Sequence, residues 1–256
     1  MKIATWNVNS LRVRLPQVLD WLKTEQPDIL ALQETKTEDK NFPLADIEAA
    51  GYHVIYSGQK TYNGVAILSR IAGTDIVTDI PHLDDYQRRV VCATFGTVRV
   101  LNVYIPNGEA VGSEKYSYKL GWLEKLTAYV EAQRAVYPSL ILLGDFNIAP
   151  EPGDVHDPAL WEGRVLFSEP ERAAFRRLVD VGLCDTFRLF EQAPDQFSWW
   201  DYRMAAFRRN MGLRIDHVLA SPALCDVCIS CHIDKTPRTW ERPSDHTPVV
   251  TVFDLF

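Results

Sequence analysis

Carboxylates, amides and one histidine stand directly after apolar runs along this chain. Ile29-Leu30-Ala31-Leu32-Gln33 leads to Glu34, and Leu140-Ile141-Leu142-Leu143-Gly144 leads to Asp145 and then Asn147. Asn7 follows Ile3–Trp6, Tyr104 closes Val100-Leu101-Asn102-Val103, Leu213-Arg214-Ile215 precedes Asp216, and Pro243-Ser244 precedes Asp245-His246. Each alone reads equally as a turn or capping residue, because Asp and Asn bond their own backbone where chains reverse. As a set they offer complementary chemistry, and strand ends are rigid enough to hold it. Oxygen ligands without a histidine–cysteine cluster suit a hard divalent cation, Mg²⁺ or Mn²⁺, rather than zinc. Glu34 is the first expected ligand, with Asp245 a second or shifted one. His246 fits an acid–base or phosphate-contacting part, with Asp216 orienting its ring. The implied reaction is metal-assisted attack of water on a phosphodiester.

The elements that must position these residues are mostly strands. Ile3–Trp6, Ile29–Gln33, His53–Ser57, Gly64–Ser69, Arg89–Phe95, Val98–Tyr104, Leu140–Gly144, Phe197–Trp200, Ile215–Ala220 and Val249–Phe253 carry apolar or alternating strand patterns. Leu11, Leu15, Val18, Leu19 and Leu22 keep helical spacing, with Pro16 tolerable only in a first turn. Leu120, Leu123, Leu126 and Val130 mark a second helix that should end by Pro138. A third begins at Ser168, with Glu171 completing a capping box, Pro170 in the first turn, Phe175, Leu178 and Val179 on its apolar face, and Gly182 as its stop. A short helix from Pro43 to Ala50 is expected, closed by Gly51. This pattern predicts an α/β fold: two mostly antiparallel sheets packed together and flanked by helices. No linker-like segment divides the 256 residues, which are read as one domain.

Acidic residues outnumber basic ones, 34 to 27, for a net charge of −7, which excludes a histone-like or tail-driven nucleic-acid binder. It does not exclude nucleic acid, because net charge is silent about where charges sit. Arg203, Arg208, Arg209 and Arg214 fall in a stretch free of acids next to Trp199 and Trp200, a combination that suits DNA. No secretory leader pattern opens the chain and no run is long enough to span a membrane, so a cytoplasmic setting is expected. In that setting the five cysteines read as reduced thiols. Cys228-Ile229-Ser230-Cys231-His232 matches a haem-attachment pattern, but Val227, Ile229, Cys231 and Ile233 alternate as one face of a strand, a simpler account. His53, His82, His156 and His217 lack companion ligands and read as surface or packed residues, and Trp21, Trp122, Trp161 and Trp240 as core or helix-packing ones.

At the polar positions the chain resembles the exonuclease III family of abasic-site endonucleases, within the DNase I-like superfamily. The resemblance runs nearly end to end through Trp6-Asn7-Val8-Asn9, Leu32-Gln33-Glu34-Thr35-Lys36, Gly58-Gln59-Lys60 with Asn63-Gly64-Val65-Ala66, and Gln87-Arg88-Arg89. It continues through Tyr104-Ile105-Pro106-Asn107-Gly108, Gly144-Asp145-Phe146-Asn147-Ile148, Ser198-Trp199-Trp200-Asp201-Tyr202-Arg203, Gly212-Leu213-Arg214-Ile215-Asp216 and Pro243-Ser244-Asp245-His246. It implies a four-layer α-β-β-α sandwich with the site at one end of both sheets. By the same resemblance Glu34 holds the metal with Asn7 close by and Asp245 as a further contact. Asp145 positions and deprotonates the water, Asn147 and Tyr104 donate to phosphate oxygens, and His246, oriented by Asp216, also contacts the phosphate. Trp199 would line a pocket for a baseless sugar or frayed 3′ end, Arg203 would enter a groove, and Asn107, Lys36 and Arg12 would contact substrate; Lys115 and Arg88 are weaker phosphate contacts. The expected substrate is double-stranded DNA with abasic sites or damaged 3′ ends, cut by a monomer with Mg²⁺ or Mn²⁺. The family usually has glycine at the position of Ser10 and often alanine at that of Thr247. A bulky Leu166 would narrow the sugar pocket and shift preference toward 3′ ends. The rival readings are a phosphatase for an inositol or RNA substrate, opposed by Gln87-Arg88-Arg89 and the Trp199–Arg203 segment, and a DNA binder without catalysis, opposed by the full set of polar residues.

Overall fold

A computed structural model describes all residues except His82, Asp84 and Phe256, so the reading of His82 lies outside the described residues. The first half of the chain forms β1 (Lys2–Asn7), α1 (Leu11–Glu25), β2 (Ile29–Gln33), α2 (Leu44–Ala49), β3 (His53–Ser57), β4 (Val65–Ser69), β5 (Thr74–Val77), β6 (Val90–Phe95) and β7 (Val98–Tyr104). Then come α3 (Glu114–Val136), β8 (Leu140–Asp145), α4 (Pro158–Trp161), α5 (Glu169–Asp180), β9 (Cys184–Asp185), β10 (Trp199–Trp200) and β11 (Gly212–Leu213). β12 (Asp216–Ala220), α6 (Pro222–Cys225), β13 (Cys228–Ile233) and β14 (Val249–Phe253) complete it.

Two six-stranded sheets result, in the orders β13-β14-β1-β2-β4-β3 and β5-β6-β7-β8-β12-β9. Their facing sides share one core, in which Ile3, Ala31 and Ile67 meet Val91, Val100, Ile141 and Val218. On the outer face of the first sheet Leu30, Leu32, Ala66 and Leu68 pack against Val18, Trp21 and Leu22 of α1 and Ile47 of α2. On the outer face of the second, Leu101, Val103, Leu140 and Leu142 pack against Trp122, Leu123 and Leu126 of α3 and Phe175 and Leu178 of α5. Strands covered on both faces read as continuous apolar runs, which is why β2, β4 and β8 show no alternation. The layers are therefore helix, sheet, sheet, helix, as expected.

Each sheet has one parallel pair at its centre, β1 with β2 and β7 with β8. A parallel pair needs a crossover, and α1 and α3 supply them. The arrangement delivers the carboxyl ends of both strands in a pair to the same edge. Asn7 lies opposite Gln33, one residue before Glu34, and Tyr104 lies opposite Asp145. Antiparallel β12 adds Asp216 directly across from Asp145.

Local details depart from expectation in four places. Pro16 stands in the second turn of α1, not the first. The strand expected over Phe197–Trp200 shortens to β10, paired with β11 in a separate ribbon. β13 carries a register shift between Cys228 and Ser230, so Ile229 is exposed while Cys231 faces the core. Cys184 and Cys225 form a disulfide with Cα atoms 6.7 Å apart, which corrects the expectation of five reduced thiols; Cys92, Cys228 and Cys231 remain free. Topology explains the pairing: Cys184 registers with Ala220 at the end of β12, and α6 starts two residues later.

Candidate active site

The polar residues that end β1, β2, β7, β8 and β12 converge at one edge of the paired sheets. Asn7 is fully buried and its Nδ2 donates to Glu34 Oε1 at 2.9 Å and to Asp145 Oδ2 at 2.8 Å, one amide bridging both sheets. The backbone N–H of Asn9 donates to Asn7 Oδ1 at 2.9 Å, fixing that amide's orientation. Oxygen and nitrogen ligand atoms of Glu34, Asp145 and His246 all lie within 4.8 Å of one another. Lys36 Nζ meanwhile sits 2.9 Å from Glu34 Oε2, an internal cation against the carboxylates.

His246 is built as the third group of a line. Its Nδ1 donates to Asp216 Oδ2 at 2.9 Å, and its Nε2 faces Asp145 Oδ2 at 3.7 Å. Asp216 is held in turn by the Ser198 hydroxyl at 2.6 Å, while that same oxygen accepts the N–H groups of Ile215 and Asp216. Burial disfavours a charged His246, but the carboxylates of Asp216 and Asp145 outweigh it and raise its pKa. Asp145 is also raised: burial dominates, and Asp216 and Glu34 add to it against the charge of His246 and the Asn7 amide. Burial, with Glu34 and Asp145 nearby, pushes the Tyr104 phenol well above its usual range, so it remains a neutral donor. Arg89 lies over the Tyr104 ring, its guanidinium carbon 4.8 Å from the centroid.

Asn147 completes the inner set. Its backbone N–H donates to Asp145 Oδ1 at 2.9 Å, its Nδ2 to Ile105 O at 3.0 Å, and Asn107 Nδ2 donates to its Oδ1 at 3.1 Å. Glu34 and Asn147 both adopt φ of +50, a left-handed conformation that turns each strand end sharply into the site. The donor set fits a hard divalent cation: buried or half-buried carboxylates crowd one another there and already draw Lys36 as a counter-charge.

The outer residues are placed unevenly. Asp245 is not part of the close cluster; Trp199 Nε1 donates to its Oδ2 at 3.0 Å and Asn9 Nδ2 to its Oδ1 at 2.9 Å. Trp199, Asp245 and Arg203 line a cleft of about 480 Å³ on one side of the site, where Arg203 pairs with Asp201 at 2.7 Å. Tyr104, Asn107 and Lys115 line a separate, larger cleft of about 700 Å³. Arg12 is exposed on the first turn of α1 and lines neither cleft, whereas Arg14 donates to Pro243 O at 3.1 Å and to the Tyr202 hydroxyl at 3.2 Å. Arg88 pairs with Asp79 at 2.9 Å. Arg214 corrects the sequence reading: it is buried and bound to Asp154 at 2.7 Å and Asp185 at 2.8 Å, so the basic stretch presents only Arg203, Arg208 and Arg209 to solvent. Leu166 is buried too, among Ala149, Val155, Phe167 and Leu213 with Trp199 packed alongside, and lines neither cleft.

Sequence reasoning missed Asn9, Ser198 and Lys119. Asn9 and Ser198 sit inside motifs that were noticed for their neighbours, so proximity in sequence was a usable signal. Lys119 precedes Leu120, Leu123 and Leu126 on a helix and nothing in its type or spacing marks it; only the fold shows it fully buried.

Comparison with known proteins agrees with this geometry. The model of the Endonuclease/Exonuclease/phosphatase family matches residues 4–246. The chain is 38% identical to the Haemophilus influenzae protein named exodeoxyribonuclease III, over 99% of this chain and all of that one. Among solved structures it is similar to the 3′-5′ exonuclease from Neisseria meningitidis (49% identity, TM-score 0.98, both chains covered completely). An AP endonuclease from Archaeoglobus fulgidus is also similar, at 41% identity and TM-score 0.96 with complete coverage of both chains. The chain belongs to the endonuclease/exonuclease/phosphatase family, and within it to the exonuclease III group.

Proposed function

We infer that this protein is a DNA repair nuclease that hydrolyses phosphodiesters in double-stranded DNA, at abasic sites and at damaged or blocked 3′ ends. The observation that carries the reading is the convergence of Asn7, Glu34, Asp145, Asn147 and the Asp216–His246 pair at one edge of two packed sheets. Glu34 would hold Mg²⁺ or Mn²⁺, with Asn7 beside it and Asp245 as a second or shifted contact. Bound there, the cation supplies Lewis-acid stabilisation of charge on the phosphate oxygens. Asp145 accepts the proton of the attacking water. Asn147 and the Tyr104 phenol donate hydrogen bonds to the phosphate as charge builds, and His246 contacts it through Nε2 while Asp216 fixes the ring.

Trp199 lines the cleft for the sugar, and an abasic sugar enters at lower cost because no base must be unstacked. Arg203 at the mouth of that cleft would reach a groove of the duplex. Lys36 and Asn107 flank the site as further substrate contacts, and Arg12 would approach only a backbone phosphate beyond it. We read the protein as monomeric and cytoplasmic. No helix among the described residues is long and apolar enough to cross a membrane.

A second reading gives 3′-end trimming with little abasic cleavage. One observation favours it: the likeness to a Neisseria 3′ phosphatase bound to a product DNA hairpin (48% identity, TM-score 0.98); Leu166, buried and lining neither cleft, adds nothing to it. Matched duplexes decide between them, one with an internal abasic analogue and one with a blocked 3′ end, each with and without Mg²⁺. Cleavage of neither duplex with Mg²⁺ would refute both readings. A Leu166→Gly variant is expected to leave the ratio of the two activities unchanged, and a changed ratio would return Leu166 to the account.

A further inference from the structure

Lys119 is a lysine with no exposed surface, and its ammonium group spends its three hydrogens inside the protein. Nζ donates to the carbonyl of Asn147 at 2.6 Å, to the carbonyl of Asn107 at 3.1 Å, and to Glu171 Oε1. Glu171 is equally buried and holds more than its lysine. It accepts the Leu166 N–H at 3.0 Å and the Ser168 N–H at 3.1 Å, so its carboxylate pins the start of α5. The α3 lysine and the α5 glutamate thus form one post to which two site loops are tied by their backbones.

Stability does not explain the post. A buried ion pair suffers a large desolvation cost, and well-packed apolar residues of similar volume commonly do as well or better. What apolar residues cannot do is grip two carbonyls at once. Asn147 sits at φ +50, next to the base, where its backbone needs outside support. Its Nδ2 spends one hydrogen on Ile105 O, leaving the second to point elsewhere. The Asn107 loop rests on the lysine stem, since a Cβ placed on Gly108 would stand 3.1 Å from Lys119 Cδ. Both amides, which bond each other, are therefore set from behind by one cation.

We propose that Lys119, anchored by Glu171, is a positioning residue of the reaction: it fixes Asn147 and Asn107 so that the free amide hydrogen of Asn147 meets the phosphate in the transition state. This rests on the reading of Asn147 as a phosphate donor. Misplacement of such a donor by a fraction of its hydrogen-bond length acts on the transition state more than on ground-state binding.

The test uses the full chain, Mg²⁺ and a duplex with an internal abasic analogue or a blocked 3′ end, whichever the wild type cuts faster. Lys119→Met with Glu171→Gln removes the ion pair without leaving a buried charge alone, and Asn147→Gly removes the amide while keeping a residue that tolerates positive φ. The pair variant is expected to lose about 10–100-fold in kcat with KM within about twofold, measured well below its melting temperature, which falls because two carbonyls lose their buried donor. In the Asn147→Gly background the same two changes should cost less than about threefold, because the group they position is gone. Wild-type kcat in the pair variant, or an undiminished loss in the Asn147→Gly background, overturns the proposal. Wild-type kcat in Asn147→Gly alone instead overturns the reading of Asn147. Should the pair variant not fold, Lys119→Gln with Glu171→Gln, in which one shorter amide cannot hold both carbonyls and no charge is left buried alone, gives the same readout, and wild-type kcat there is equally fatal.

Discussion

Asp145 is placed where its charge is opposed by burial and by two neighbouring carboxylates, and favoured by His246, the Asn7 amide and the Asn147 N–H. A carboxylate held this way gains basicity at the expense of native stability, the compromise expected of the base proposed for Asp145. Asp145→Asn keeps the shape and removes both the charge and the proton acceptor. Cleavage by this variant is expected to fall by about 10²–10⁴-fold, with duplex affinity kept or improved because one negative charge is gone. Single-turnover cleavage and anisotropy of a labelled duplex measure the two quantities, and near wild-type cleavage would remove Asp145 from the mechanism. Ser10 shows a cost of another kind. It sits at φ +90 and ψ +102, a region suited to glycine, because its N–H must reach the Glu34 carbonyl at 2.8 Å while α1 begins at the next residue. Ser10→Gly should stabilise the protein by about 1 kcal/mol, raising its melting temperature by about 2–4 °C without changing cleavage. A drop in melting temperature would mean that the serine side chain holds something its backbone geometry does not reveal.

Strand β8 illustrates how an element positions chemistry through what it omits. Gly144 precedes Asp145 at φ +145, and a Cβ there would lie 1.9 Å from the Val103 carbonyl of the parallel neighbour β7. Gly144→Ala must push β7 and β8 apart where Tyr104 and Asp145 stand in register. A loss of about 2–4 kcal/mol is expected, together with a large fall in kcat; melting and cleavage assays report them separately. The segment after β8 is steadied from beneath by His217, whose Nε2 donates to the Ile148 carbonyl at 2.8 Å while its Nδ1 accepts from Arg214 at 3.0 Å. Burial and the Arg214 charge lower its pKa to about 4. The unfolded chain takes up that proton near pH 6.5 and the native state does not, so this contribution is whole above about pH 6.5 and shrinks as pH falls toward 4. The decline is worth up to about 3 kcal/mol, and urea unfolding should show it flattened in His217→Gln. These supports also mark the limit of what was legible in the sequence. Strands such as β2, β3, β7 and β14 announce themselves by composition, and α5 by its capping box. The edge strand β5 and the two-residue β9 and β11 carry too little pattern to separate from loops. Glu34, Asp145 and Asn147 were legible because each closely follows a long apolar run, and Asp216 and His246 by the motifs around them. Lys119 and Arg214 were not, since burial of a charge is decided by partners distant in sequence.

At the scale of the whole molecule, the net charge of −7 is shared unevenly. Arg203, Arg208 and Arg209 remain exposed, Arg203 at the Trp199 cleft, while Arg214 is neutralised inside by Asp154 and Asp185. On the proposed reading fewer arginines than the sequence suggested are free to meet DNA, and non-specific affinity should be modest and salt-sensitive. The site itself concentrates Glu34, Asp145 and Asp216, which the native fold holds together against their mutual repulsion. A divalent cation bound there should stabilise the entire protein by mass action, about 2.7 kcal/mol at a hundredfold excess over its dissociation constant. For a chain of this size that is a rise in melting temperature of roughly 5–10 °C. An acidic protein also gains from simple screening, so the comparison must hold ionic strength constant with a monovalent salt. Under that control, Mg²⁺ should raise the melting temperature of the wild type and leave Glu34→Gln nearly unmoved. Arg203→Ala, outside the carboxylate cluster, should respond as the wild type does. An equal Mg²⁺ response in Glu34→Gln would place the cation elsewhere and detach Glu34 from the metal. An equal response to the monovalent salt would reduce the effect to screening of the −7 charge.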